Sequence, residues 1–350
     1  MRELVSKILS DIISCGSAGV LAVVAALATT APAVANQSIY TAQLSGSSEV
    51  PPTASTGTGF VIITIDFALV TMRVQASFTS LESLDSAAHV HCCAPAGTNV
   101  GVAAVFPGFP LGVTSGTYDN TIDMTLASSY NAAFIASSGG TVSQAFNALV
   151  AGMNAGDSYF DIHTTVFPGG EIRGMLAAAP ALQSALSRRV HGAAGTFDLP
   201  LSAVATNPST EPRIGPAQTI VFTFDKPISS ATATITEGIA TAGAATFSGN
   251  DVIVGLTGVT DKQYVTIALG NVASVDGGTG GSGAVRVGFL LGDVNQNRVV
   301  LLSDLVLVNA QLAKLVTSAN FLKDVNANGT LTFGDILITN NNLAKALPAP

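Results

Sequence analysis

Polar and apolar positions alternate cleanly along Met72-Arg73-Val74-Gln75-Ala76-Ser77-Phe78-Thr79. Met72, Val74, Ala76 and Phe78 share one side, and Arg73, Gln75, Ser77 and Thr79 the other, which is the period of a half-buried strand. Phe60 to Phe67 is more uniformly apolar and predicts a core strand. Alternation returns in Ile220, Phe222 and Phe224, in Val252, Val254 and Leu256, in Val265, Ile267 and Leu269, and in Val285, Val287 and Phe289. Short strands separated by Gly, Asn, Asp and Pro predict a sandwich. Helix is predicted within 132–154, where Ser143 to Met153 lacks turn residues. It is predicted again near the C-terminus, where Leu305, Val308, Leu312 and Leu315 fall on one helical face.

These patterns divide the chain. Residues 38–177 read as a first β-domain. Residues 178–195 are Ala-rich, carry Arg188-Arg189 and lack apolar alternation, so a linker is expected there. A second β-domain of immunoglobulin-like type covers 196–290, with Gly277 to Gly283 as a loop before its last strand. A small helical module fills 291–347. The fold class is mainly β, two sandwiches followed by that module. Ahead of them, residues 1–35 read as a signal peptide. Arg2 and Lys7 form the basic region, Val20 to Leu27 the apolar run, and Ala33-Val34-Ala35 the cleavage site. No later stretch is apolar and long enough to span a bilayer, so a secreted mature chain is expected.

Composition narrows the function. A formal net charge of -8 argues against a nucleic-acid partner, which needs a basic footprint. A hydrophobic content of 48% excludes a wholly disordered chain. Of the three cysteines, Cys15 lies in the signal, leaving Cys92-Cys93. Neighbours meet disulfide geometry with difficulty, so no disulfide framework is expected. No Gly-x-Ser-x-Gly, phosphate loop, dinucleotide fingerprint or paired-carboxylate arrangement stands in a fitting context, and no enzyme is expected.

The strongest chemical signal is a repeat. Asp293 to Asp304 aligns with Asp324 to Asp335, and each is followed by an apolar run ending in Leu-Ala-Lys. Alternate oxygens of a tight loop, closed by a carboxylate on the entering helix, suit calcium. The first loop would use Asp293, Asn295, Asn297, the carbonyl of Val299, and Asp304. The second would use Asp324, Asn326, Asn328, the carbonyl of Thr330, Thr332 through water, and Asp335. Gly329 suits the positive φ of the sharp turn, whereas Arg298 is strained there by about 1 kcal/mol, so the second loop is expected to bind more tightly. Two carboxylates per loop favour weak sites suited to extracellular calcium. The repeat resembles the type I dockerin domain. That resemblance implies calcium-dependent folding and docking to a cohesin-like protein, often in assemblies that degrade polysaccharide. Its recognition positions would be Leu302-Ser303 and Phe333-Gly334. Because no flexible linker precedes Leu291-Gly292, packing on the adjacent sandwich is the alternative.

A second signal lies in the first β-domain. His89 and His91 share a strand face, and His163 ends another predicted strand. Two imidazoles at i and i+2 with a third from elsewhere suit zinc or copper, with Cys92 or Cys93 as a further thiolate ligand. The other reading is a polar network that staples two strands. Glu171 and Arg173 alternate about Ile172 and are expected to form a structural ion pair. Leu44 to Pro52, Ala87-Ala88-His89-Val90-His91, and Ile162-His163-Thr164 with Pro168 to Gly174 resemble, in order, the start, middle and end of the CHRD domain. This resemblance implies an extracellular β-sandwich without a defined activity. The His-x-His and later histidine are also similar to the copper ligands of copper–zinc superoxide dismutase, though neither its zinc loop nor its bridging histidine is found. The expected function is a secreted, calcium-binding, non-catalytic scaffold for adhesion or matrix, with extracellular glycan as a candidate partner. A copper or zinc protein centred on His89, His91 and His163 is one alternative, and a docked accessory of polysaccharide degradation is another.

Overall fold

Nine strands make one antiparallel sheet: β1 (Gln37–Ser45), β2 (Thr58–Asp66), β3 (Thr71–Thr79), β4 (Asp85–Cys92), β5 (Val102–Val105), β6 (Gly116–Asp123), β7 (Ser158–Thr164), β8 (Ile172–Met175) and β9 (Ala177–Ala178). The structure is a computed structural model that describes residues 36–213, 215 and 217–350. The segment read as a signal peptide lies outside the described residues. Strand order is β5-β4-β7-β8-β1-β2-β3-β6, with β9 on β1. The predicted alternation in β3 holds: Met72, Val74, Ala76 and Phe78 are buried, while Arg73, Ser77 and Thr79 are exposed. The sheet curls, so that both ends feed one core. Phe106, just past β5, stacks on Phe160 of β7 at 5.3 Å and lies 6.1 Å from Tyr118 of β6. Two helices, α1 (Ala132–Ser137) and α2 (Val142–Ala155), add Phe134, Phe146, Leu149 and Met153 to that core. The first lies within the stretch where helix was predicted and the second runs one residue past it, and both begin at capping side chains, Asn131 and Thr141.

The second unit of structure is a true two-layer arrangement. Its strands are β10 (Leu182–His191), β11 (Gly195–Pro200), β12 (Ser209–Glu211), β13 (Gln218–Phe224), β14 (Ile228–Glu237), β15 (Thr241–Ala242), β16 (Thr246–Ser248), β17 (Asp251–Thr257), β18 (Gln263–Ser274) and β19 (Gly281–Phe289). One sheet runs β11-β10-β13-β17-β15 with β16 on β17, and the other runs β12-β19-β18-β14. Ile220, Phe222, Val252 and Val254 from the first meet Val265, Ile267, Val285 and Val287 from the second in one core. The expected linker at 178–195 is therefore corrected. Most of it is β10, paired antiparallel with β11 and β13. Alternation exists in β10, but Ala185, Ser187 and His191 carry the buried face. Small and polar residues occupy it because partners there are hydrogen bonds, which hydropathy does not register.

The C-terminal module has two short helices, α3 (Leu302–Asn309) and α4 (Phe333–Asn341). The four-leucine-and-valine face expected to continue to Leu315 does not. The chain leaves the helix after Asn309, Ala313 adopts a positive φ of 61°, and Leu315 is exposed. This turn lets Leu315 bridge to Thr330, as Val299 bridges to Ala346. A seam of Tyr264, Leu290, Val300 and Leu347 fastens the module to the second sandwich. The first sheet is joined to that sandwich as well, through the Thr279 amide to the Thr41 hydroxyl and Lys226 to the Ala178 carbonyl. Residues 36–350 form one compact unit. Phe160 is fully buried on the core face of β7, so Phe160→Ala should cost about 3–5 kcal/mol in urea unfolding of the first domain. A loss below about 1 kcal/mol would contradict the shared core.

Candidate metal centre

The pleat of β4 sends Ala88, Val90 and Cys92 into the core and His89 and His91 to the opposite face. On β7, Phe160 and Ile162 enter the core while Asp161 and His163 face away from it. The register sets His89 across from Asp161, His91 across from Tyr159, and Ala87 across from His163. His91 is thus the diagonal cross-strand neighbour of Asp161, and His163 its i+2 neighbour on β7, all on the same face and within reach of one another. One ligand atom from each of His89, His91, Asp161 and His163 lies within 4.8 Å of the others.

The hydrogen bonds fix which atoms point inward. His91 Nδ1 is 2.7 Å from the carbonyl of Val100, and His163 Nδ1 is 3.1 Å from that of Pro168. A carbonyl only accepts, so each Nδ1 carries a proton, and Nε2 is the atom that each ring turns toward the cluster. Asp161 Oδ1 sits 3.2 Å from His91 Nε2 and 3.3 Å from His163 Nε2. None of these three atoms, nor His89 Nδ1, makes an aligned hydrogen bond, and all four are buried. Converging acceptors in a water-poor site require protons or a cation between them. Burial, followed by the positive charge of a protonated His163, pushes the His89 pKa down. Burial works against protonation of His163 too, but the contact with Asp161 outweighs it and raises its pKa. For Asp161, burial raises while His163 and His91 lower, and the net is a carboxyl held below its usual range. Three imidazoles this close do not all charge together, and the four ligand atoms make a donor set that could hold a metal ion.

A shell of polar residues roofs the cluster. Arg173, directly across β8 from Asp161, donates to the Ser48 carbonyl at 2.6 Å and to Asn99 Oδ1 at 2.7 Å, and lies 3.8 Å from Glu49. Its guanidinium covers the Tyr159 ring, which stacks on His91 at 4.7 Å. Gly170, at φ 123°, passes so close to Glu49 that a Cβ would lie 2.6 Å from its carboxylate, so the turn before β8 needs glycine. Glu171 does not form the expected pair with Arg173. Its carboxylate accepts from Ser55 Oγ at 2.6 Å and from the Glu82 amide at 2.7 Å. The reason is the intervening segment 46–57, which brings Glu49 rather than Glu171 to the guanidinium.

The cysteines are also corrected. Cys92 and Cys93 are bonded to each other, and both sulfurs pack on α2 at Gly152, on the core side of β4. Neither reaches the histidines. Asp161 takes the place they were assigned, and the sequence reading missed it. The same i, i+2 logic that grouped His89 with His91 groups Asp161 with His163.

The repeat forms two wrapped loops. In the first, Asp293 accepts from the amides of Asn297 and Arg298, and Asp304 from those of Asn295 and Leu301. In the second, Asp324 accepts from Asn328 and Gly329, and Asp335 from Asn326 and Thr332. Asn295, Asn297, Asn326 and Asn328 turn their side-chain oxygens onto the amides two residues on, including those of Val299 and Thr330. All four aspartates are fully buried. Burial, with Asp304 close by, pushes Asp293 up to about 6, and burial likewise raises Asp335. Arg298 adopts φ 72° and Gly329 φ 88°, as the loop register requires. Carboxylate and amide oxygens are the hard donor type that calcium takes, so the composition of the donor set fits calcium.

Residues 40–176 match the CHRD domain family, a stretch that contains all four residues of the histidine–aspartate cluster. The chain matches no curated protein. It matches no solved structure either. No helix among the described residues is long and apolar enough to cross a membrane.

Burial first, then the negative charge of Asp161, pushes Glu49 up to about 7, against the lowering influence of Arg173. A carboxyl free in the unfolded chain titrates near ~4.3. The folded state therefore keeps the proton longer, and stability falls as pH rises from ~4.3 to about 7. In chelator, Glu49→Gln should lose less urea resistance than wild type between pH 5 and pH ~7.5. Parallel curves for the two proteins would contradict this environment for Glu49.

Proposed function

We propose that the chain is a secreted, non-catalytic, metal-binding scaffold whose CHRD domain holds one zinc or copper ion at His89, His91, Asp161 and His163. The observation that carries this is the convergence of four buried ligand atoms without aligned partners. Three imidazole nitrogens and one carboxylate oxygen suit zinc, or copper in its divalent state, better than calcium or magnesium. The carbonyls of Val100 and Pro168 supply the outer contacts that orient metal-bound histidines. Four protein ligands close a tetrahedral shell, which favours a structural or carrying role over catalysis. The mature chain, purified without chelator, should contain close to one zinc or copper per chain by elemental analysis. A His89→Ala/His163→Ala double variant should lose that metal and keep its far-ultraviolet spectrum. A metal-free wild type that also fails to take up added zinc or copper would remove this reading.

A second reading concerns the C-terminal module and rests on its four fully buried loop aspartates. It is a dockerin-like calcium module, folded against the sandwich at residues 196–290. Leu302 and Phe333, the positions that the dockerin resemblance assigns to cohesin recognition, are exposed. A cohesin-like protein therefore remains a candidate partner on the far side of the docked loops, with extracellular glycan or matrix as the setting. Calcium at ~100 times its Kd should stabilise the module by about 2.7 kcal/mol per site. Thermal unfolding with calcium and with a calcium chelator checks this, and identical midpoints would contradict it.

A further inference from the structure

His191 ends β10 in the second sandwich, yet its ring is fully buried against the C-terminal module. Its Nδ1 lies 2.7 Å from Asp324 Oδ2, and its Nε2 lies 3.1 Å from Arg213 Nη1. A guanidinium only donates, so Nε2 must accept. That leaves the proton on Nδ1, which donates to Asp324. The imidazole is a neutral relay, and its tautomer is set by Arg213. Arg213 is itself held by Glu211 through contacts of 2.7 and 2.6 Å, and Glu211 by Ser187. Phe197 of the sandwich and Phe321 of the module stack at 5.5 Å beside the ring. Close backbone approach completes the contact. A Cβ on Gly192 would fall 2.2 Å from the Asn328 carbonyl, and one on Gly329 would fall 2.4 Å from that of His191.

Asp324 is the first residue of the second loop. Its Oδ2 receives His191 and the Gly329 amide, which orients Oδ1 toward the loop interior alongside the Asn328 amide. At the first loop the neighbour from the sandwich is Thr210 rather than a histidine. Thr210 is buried beside Asp293, but its hydroxyl makes no aligned hydrogen bond.

We infer that His191 is a positioning residue for the second calcium loop, so that calcium binding there and docking of the module on the sandwich are one linked equilibrium. The inference rests on the calcium reading of the repeat. Outer contacts of this kind change metal affinity by roughly 10–100-fold when removed. By linkage, calcium should tighten the docked interface by the same factor.

Calorimetric titration of the mature chain with calcium tests the idea. Wild type should show two sites, His191→Ala should weaken one of them by roughly 10–100-fold and leave the other unchanged, and His191→Asn, which places an amide donor near Nδ1, should recover most of the loss. Hydrogen exchange of wild type supplies a readout that needs no variant: calcium should slow exchange across residues 191–197 as well as in the loop. Two-site binding indifferent to His191→Ala, no better binding by His191→Asn than by His191→Ala, or exchange at 191–197 that ignores calcium would each overturn the inference while sparing the calcium reading. Absence of calcium binding by wild type would overturn both.

Discussion

Carboxylates taken out of water must meet positive charge or donors, and this constraint shapes every polar site in the molecule. Asp161, Glu171, Glu211, Asp293, Asp304, Asp324 and Asp335 are all at most 1% exposed. An uncompensated buried charge costs several kcal/mol. With 14 lysines and arginines against 22 acids, most of those cations on the surface or already engaged, the chain does not match each buried acid with a basic side chain. Glu211 has its guanidinium in Arg213, and Glu171 has backbone and hydroxyl donors. The remaining five lie in the two places where ligand-type atoms converge. A bound metal ion would offset these charges by the same electrostatics that any other buried charge obeys.

Both places use the strand pleat in the same way. One face of β4 and β7 builds the core of the first domain, which frees the other face to collect His89, His91, Asp161 and His163. In β10 the buried face carries Ser187 and His191 and so delivers hydrogen-bonding groups to the edge where the C-terminal module sits. The first sheet contacts the second sandwich, and the second sandwich contacts the module.

The parts of this architecture governed by hydrophobic burial were legible in the sequence. Met72 to Phe78 alternates in the chain and in space, and four strands of the second sandwich, β13, β17, β18 and β19, followed from Ile220, Val252, Val265 and Val285 and their partners. The duplicated loops were legible because spacing alone specifies them, down to the positive φ at Arg298. What escaped was carried by polar burial. Strand β10 read as a linker because Ser187 and His191 are buried by hydrogen bonds. His191 falls within that expected linker, although it reaches the second loop across 133 positions of sequence. Cysteines were assigned to the histidine site on proximity in sequence, when the pleat places Cys92 on the opposite face. Asp161 precedes His163 by two residues on β7 and so shares its face, which the i, i+2 spacing alone specifies.

The central claim is that three imidazoles and a carboxylate hold one transition-metal ion in the first domain. X-ray absorption at the metal edge of the purified mature chain tests it most directly. The account predicts a first shell of nitrogen and oxygen at ~2.0–2.1 Å, with the outer-shell pattern of about three imidazoles and no sulfur. A sulfur shell near ~2.3 Å, or a first shell of oxygen alone, would contradict it.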